Sequence, residues 1–270
     1  MILESTVKLV LDIYKYHKII PPRVSKVVIG LGYTGVELEA LAYDPFLGLA
    51  ATLPTIIQST NCTKIDFAGN LTDKSFKELM SWSYQPPSLE RIIGIAALNA
   101  ASQHILAVKT PYKKIEGDLV DFLKIKLDTK ILFIGFMKPM IKKILNKTKF
   151  INIIDNNPLI ENSYQNIPIL KNIEDLKEND LSIDILFCTG TSLINNTLER
   201  ILSVFRKKAK CIVLIGPTIS FLPDILFDKG VDIVGGMTFT DTESTVKVLQ
   251  EGGGTRYFKN FGRKYNFIKQ

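Results

Sequence analysis

The sequence predicts an α/β protein: an N-terminal α+β unit over residues 1–106, followed by a doubly wound, mainly parallel sheet over residues 107–270. Three observations carry this. Beyond about residue 117 the chain alternates short, β-branched, almost wholly apolar runs with stretches of helical periodicity. Strands covered on both faces read this way, and β and α elements alternating at this size build a parallel sheet. Before that point the pattern is different, a helix and then a strand meander closed by two more helices. Finally, 46% hydrophobic and 23% charged residues in a chain of 270 provide core for one large domain or two moderate ones.

In the first half, residues 3–17 form an amphipathic pattern with Leu3, Val7, Val10, Leu11 and Tyr14 on one side, which Pro21 and Pro22 stop. "VSKVVIGLGYTGVELEALAYDPFLGLAATLP" then reads as the meander, with "GYTG" and "DPFLG" as its turns. In the second strand Val36, Leu38, Ala40 and Ala42 share one face, leaving Glu37 and Glu39 side by side on the other. A short helix around Phe76, Leu79 and Met80 ends at Pro86 and Pro87. Ser88 caps the next helix, "LERIIGIAALNAASQ", whose stripe of Leu89, Ile92, Ile93, Ala96 and Ala100 marks a core helix. Its small residues let another backbone come close, and it carries the carboxamide Asn99. "HILAVKTPYKKIEG", residues 104–117, breaks the pattern and reads as a linker or crossover.

In the second half the strands are "KILFIGFM", "FINIID", "IDILFCTG", "AKCIVLIGPT" and "VDIVGGMTF". Helices are expected at "TLERILSVF", "PDILFDKG" and "DTESTVKVLQEG". Thr240 and Glu243 fit a capping box for the last, and Asp224 suits the start of its predecessor. The tail "RYFKNFGRKYNFIKQ" alternates cations with Tyr257, Phe258, Phe261, Tyr265 and Phe267. A terminal strand packing its rings on the body is the preferred reading, over a stacking platform for single-stranded nucleic acid.

In such a sheet ligands gather beyond the carboxyl ends of the strands, where loops and helix starts expose unpaired N–H groups. "CTGTSLINNT" falls at such a place and clusters Thr189, Gly190, Thr191, Ser192 and Asn195 where capping would need one polar residue. The abrupt change from apolar to small and polar is therefore read as a ligand site. Three other strand ends join it. Gly135 and Lys138 follow the first strand; Lys138 just ahead of Pro139 opposes the helix dipole and is best rationalised by a bound anion. Asp155 ends the second, the station of a ribose-binding carboxylate, though "DNNP" is also an ordinary turn. Pro217 and Thr218 close another. In "EGGGTR", Gly253 and Gly254 either permit close backbone approach to a ligand held by Arg256, or give a flexible exit from the last helix. Thr34 and Glu37, in the meander, complete the candidate set, with Glu37 as acid or base.

Several classes are disfavoured. The net charge of +7 is spread over 34 basic and 27 acidic residues, which suits a small anionic ligand or metal chelate better than nucleic acid. Runs such as "ILFIGFM" are too short to cross a bilayer, and Glu4 and Asp12 interrupt what would be a signal peptide, so no membrane partner and a cytoplasmic location are expected. Cys62, Cys188 and Cys211 form no C-x-x-C and read as inert thiols. His17 and His104 have no partner at ligand spacing, so no zinc motif can be written; a bound cation would use oxygens such as Glu37 and Glu39. The single glycine at 135 argues against a dinucleotide, and no cofactor is named by the sequence. Four Asn-x-Ser/Thr matches, "NCT" at Asn61 among them, carry no weight without secretion. The small residues of 88–103 leave a homodimer open.

Taken together, "GLGYTGVELEALAYDPFLGLAATLP", "TDKSFKELMSWSYQPPSLERIIGIAALNA", "FCTGTSLINNTLERIL", "GPTISFLPDILFDKGVDIVGGMTFTD" and "EGGGTRYFKNFGRK" resemble, in order and over nearly the whole chain, the blocks of a prokaryotic heavy-metal chelation family. The resemblance implies an enolase-N-terminal-like domain, then a Rossmann-like domain partly similar to methyltransferases, with a cleft between them. It also implies a metal-chelating small molecule of pterin-, flavin- or siderophore-like kind, handled by condensation or hydrolysis or simply carried.

Overall fold

The computed structural model describes residues 1–58 and 62–270, so Asn61 of the "NCT" match lies outside the described residues. The chain opens with α1 (Ile2–Tyr16), whose Leu3, Val7, Val10 and Tyr14 are buried as the periodicity requires. It ends before the proline pair, because Lys18 adopts φ 51° and turns the backbone out of the helix. The meander follows as a three-stranded antiparallel sheet of β1 (Arg23–Ile29), β2 (Tyr33–Glu39) and β3 (Phe46–Ala51). The first turn lies at Gly30–Gly32, so of "GYTG" only Gly32 belongs to the turn and the rest opens β2 (Tyr33–Glu39). Gly30 N donates to the Tyr33 carbonyl at 3.1 Å and closes it.

After α2 (Pro54–Ile57) and α3 (Phe76–Ser81) comes α4 (Leu89–Val108), capped by Ser88, whose hydroxyl accepts from Arg91 N. α4 is long and apolar enough to cross a membrane by length and composition, but 89% of that window is buried within the fold, which makes it a core helix. It lies directly on β3: a Cβ on Gly48 would strike the Ala96 carbonyl and the Ala100 nitrogen. The helix runs to Val108, so residues 104–108 are its last turn and not part of the expected linker.

The second half supplies β4 (Lys113–Lys114), α5 (Leu119–Phe122), β5 (Ile131–Ile134), α6 (Lys138–Ile144), β6 (Ile151–Ile154), β7 (Ser163–Tyr164) and β8 (Ile167–Leu170). Then come β9 (Ile183–Thr189), α7 (Thr191–Ile194), α8 (Leu198–Phe205), β10 (Ala209–Ile215), α9 (Asp224–Asp228) and β11 (Ile233–Phe239). The chain closes with α10 (Thr242–Gln250), α11 (Thr255–Phe258) and β12 (Gly262–Ile268). The nine strands β4 to β12 form one sheet, order β4-β12-β11-β10-β9-β5-β6-β8-β7. From β11 to β8 neighbours are parallel; β12, β4 and β7 pair antiparallel. α10 is capped by Asp241, which accepts from Ser244 N, while Thr240 instead donates to the Phe261 carbonyl; the expected Thr240–Glu243 box is replaced.

Side chains alternate across this sheet between two cores. Ile131, Phe133, Ile153, Ile185, Phe187 and Val213 enter one, with Ile141 and Ile144 of α6. Leu132, Ile134, Leu186, Cys188 and Leu214 enter the other, which continues without a break into α1, α4 and β2. The two halves of the chain are thus joined through a common core.

Candidate functional site

The chain runs from β5 to β6 and β8 on one side, then returns to form β9 on the other side of β5. At that reversal two loops diverge, and a crevice opens beyond the carboxyl ends of the strands. It holds a cavity of about 160 Å³ lined by Gly135, Asp155, Thr189, Thr191, Ser192 and Asn195, with Lys171, Asn172, Glu174, Thr197 and Arg200 around it. Ile134, Ile154, Ile173 and Ile201 supply apolar wall.

Each polar group has a local reason for its place. Gly135 leaves β5 at φ 100°, a conformation that favours glycine, and a Cβ there would strike the Thr189 side chain. Its N–H donates to the Ile154 carbonyl at 2.8 Å. Asp155 ends β6; its Oδ2 accepts from Phe136 N at 2.7 Å and its Oδ1 from Asn157 N at 2.9 Å, so the carboxylate is pinned across two loops. Ser192 Oγ donates to the Thr189 carbonyl at 2.8 Å and accepts from Cys188 Sγ at 3.5 Å. Burial pushes the Cys188 thiol up to about 12, which fits an inert core cysteine. Arg200 and Glu174 form an ion pair at the rim.

Arg91 of α4 is 4% exposed and braces this loop. Its Nε and Nη2 donate to the Leu193 carbonyl at 3.0 and 2.7 Å, and Nη2 also reaches Asn196 Oδ1 at 3.2 Å. Asn196 sits at φ 58°, and Arg91 holds the turn that places Asn195 on the cavity.

The expected residues thus divide. Gly135, Asp155, Thr189, Thr191 and Asn195 line one cavity. Gly190 lies behind it, with no room for a Cβ against Thr218 and Ile219. Pro217 and Thr218 belong to the packed seam between the halves, where Thr218 Oγ1 accepts from Ala51 N at 3.1 Å; Thr34 is buried within the first half and bonds Thr52 at 2.9 Å. Asn99 Nδ2 donates to the carbonyls of Leu49, Pro217 and Thr218. These bonds pack that stretch of the seam, and the cavity of about 160 Å³ lies at the strand ends. Lys138 begins α6, its ammonium 5.4 Å from the Tyr164 ring centre. Gly253 packs under Val248 and Gly254 precedes α11, while Arg256 is exposed beside Tyr257.

Glu37 is not among the cavity residues. It is 1% exposed, and its Oε1 accepts from Ser25 Oγ and Lys26 Nζ, each at 2.8 Å. Burial opposes its charge, but hydrogen bonds from Lys26, Ser25 and Thr242 outweigh that and hold the carboxyl below its ordinary value. A neutral-pH acid would need the opposite displacement. Glu39 turns to Arg23, so the two carboxylates do not share a cation. Among the described residues no three His, Cys, Asp or Glu side chains gather to hold a metal. The residues the sequence reading missed are Lys171, Asn172, Glu174 and Arg200; the one legible signal was Asn172 three residues before Asp175, a capping box that the structure contains.

Known proteins match at two levels. A crystal structure of a protein with unknown function from the DUF364 family of Pyrococcus horikoshii superposes with a TM-score of 0.78 at 25% identity, covering 100% of both chains. Another from the same family, from Desulfitobacterium hafniense, gives a TM-score of 0.70 at 19% identity over 96% of this chain and 98% of that one. In sequence, an uncharacterized protein of Methanocaldococcus jannaschii is 26% identical over 201 residues, 72% of this chain and 71% of that one. Residues 16–102 match the DUF4213 family model and residues 118–268 the DUF364 model, both described as "Putative heavy-metal chelation". Since the latter spans more than half of the sequence and the fold agrees, the chain belongs to the DUF364 family.

Proposed function

We propose that the cavity beyond β5, β6 and β9 holds a small, anionic, metal-chelating compound, and that heavy metal reaches the protein through this compound and not through side-chain ligands. The carrying observation is the lining itself: hydroxyls, carboxamides and Lys171 surround the space, Arg200 is paired with Glu174 and Asp155 with two backbone N–H groups, and no cluster of metal-ligating side chains exists among the described residues. In this reading the large sheet is Rossmann-like and the first half enolase-N-terminal-like; the strand order, with its reversal beside β5, supports the former.

Capture is favoured over turnover. No His, Cys or Tyr lines the cavity; of its carboxylates, Asp155 is bound to two backbone N–H groups and Glu174 to Arg200. Condensation or hydrolysis of the bound compound would have to draw on Lys171 for proton transfer, and its Nζ is directed at the Asn157 and Ile160 carbonyls, each at 3.5 Å. Glu37 serves the architecture in this reading.

Calorimetric titration with Ni2+–citrate and with Ni2+ alone tests it. The chelate should bind with one-to-one stoichiometry and the bare ion should not. Thr191→Val and Asn195→Ala should each weaken binding about tenfold, the worth of one hydrogen bond to a charged partner. Mass spectrometry of the mixture should return citrate unchanged. Equal binding of the bare ion, insensitive to both substitutions, would refute the proposal.

A further inference from the structure

We infer that Arg91 is a positioning residue of the cavity: without touching the bound compound, it sets the affinity by fixing the turn after α7 that presents Asn195. This rests on the reading of the cavity given above.

α7 is a single turn, too short to hold itself in water. It closes as a Schellman turn. Thr197 N donates to the Ser192 carbonyl at 2.8 Å, Asn196 N donates to the Leu193 carbonyl at 3.2 Å, and Asn196 takes the left-handed conformation at φ 58°. Ser192, Asn195 and Thr197 of this turn line the cavity. Behind it lies a second hollow of about 20 Å³, lined in part by Ser192, Leu193, Asn196 and Arg91. The turn is thus a partition, with the ligand space on one side and Arg91 on the other; Arg91 is not among the cavity residues.

Arg91 reaches this turn from α4, in the first half of the chain. Its Nε and Nη2 both donate to the Leu193 carbonyl, Nη2 also reaches Asn196 Oδ1, and Nη1 donates to the Gln85 carbonyl. The Leu193 carbonyl belongs to the end of a helix, where carbonyls lack intrahelical partners and carry the negative pole of the dipole. These partners are two carbonyls and a carboxamide, with no carboxylate among them. A buried cation held this way contributes little stability that an apolar side chain of its size would not. What the guanidinium adds is direction, because a planar fork fixes where its acceptors stand and neither an apolar chain nor a lysine does so. By tying Gln85 to Leu193, Arg91 lets the first half hold the ligand-facing turn of the second.

Calorimetric titration of the full chain with Ni2+–citrate, at a temperature where every variant is folded, tests this. Arg91→Met should weaken binding about tenfold, as Asn195→Ala does, and the double variant should bind no more weakly than Asn195→Ala alone, because both changes remove the same contact. Gly48→Ala, which strains the first half away from this turn, should leave the affinity unchanged; a merely structural Arg91 would behave the same way. Arg91→Lys keeps the charge without the fork, should weaken binding about threefold, and carries the test if Arg91→Met fails to fold. If the Arg91 variants bind the chelate as tightly as the wild type, or if the losses multiply in the double variant, the inference falls and the cavity reading stands. If the wild type binds no Ni2+–citrate, both fall.

Discussion

Glu37 owes its character to neighbours brought from two separate segments. Lys26 stands opposite it in the strand register, Ser25 lies beside the bulge between Val24 and Lys26, and Thr242 comes from the start of α10. Alternation along β2 was legible and gave the face; the partners were not, because a one-residue shift in register exchanges them. Since the folded carboxyl is held below its ordinary value, its contribution to stability is full above the unfolded value of about 4.3 and is lost as pH falls through the folded one. Lys26→Ala leaves a buried carboxylate with Ser25 and Thr242 alone, and should cost about 1–2 kcal/mol by urea denaturation at neutral pH, with the loss shrinking in acid. His104 is a second buried titratable group. It is 2% exposed, stacked on Phe46 and bonded through Nδ1 to the Tyr14 hydroxyl at 2.9 Å, with burial lowering its pKa. The unfolded chain then binds the proton more readily, so stability is full above about pH 6.5 and falls as pH drops toward the folded value. The thermal midpoint should decline below pH 6.5, and His104→Gln should flatten that decline. Sequence reading placed His104 in a linker because the small residues before it hid the helix's last turn.

At the scale of elements, α4 and β3 form the contact on which the first half is built. Gly48→Ala should cost about 1–3 kcal/mol, since the added methyl meets backbone on both sides and neither helix nor strand can yield without moving its neighbours. Asn99→Leu should cost a similar amount, as three buried carbonyls lose one shared donor. Both are measured by chemical denaturation. α4 was readable as a core helix because Ser88 marks its start and alanines recur at close spacing. β7 and β8 were not readable. They are joined through Gln165 and Asn166, both at positive φ, and Pro168 inside β8 argues against a strand unless it lies near a sheet edge, where it does lie. The loop after β9 was legible as a polar cluster; its brace from Arg91 was not, because the two are separated by 102 residues.

For the whole molecule, composition and the alternation of strands and helices were enough to locate the large sheet's central strands along the chain and to make them parallel, but not to order them. They did not reveal that the two halves share one core, since chemistry read along a chain says nothing about which faces meet. That shared core predicts a single cooperative unfolding transition. Calorimetric and van't Hoff enthalpies should agree, and two resolved transitions would count against the continuity of the core. Arg91→Met should lower the midpoint of that one transition without splitting it, at a cost of about 2–3 kcal/mol for the charge-assisted bonds to Leu193. The outermost strands of the nine-stranded sheet have a consequence of their own. β4 and β7 are two residues each, and β4 consists of two exposed lysines. Each outermost strand is too short to pair along the length of an incoming one, and at one rim an incoming chain would also meet concentrated positive charge. These two outermost strands therefore resist ribbon-like growth of the large sheet at high protein concentration by the way they are cut, independently of how stable the interior is.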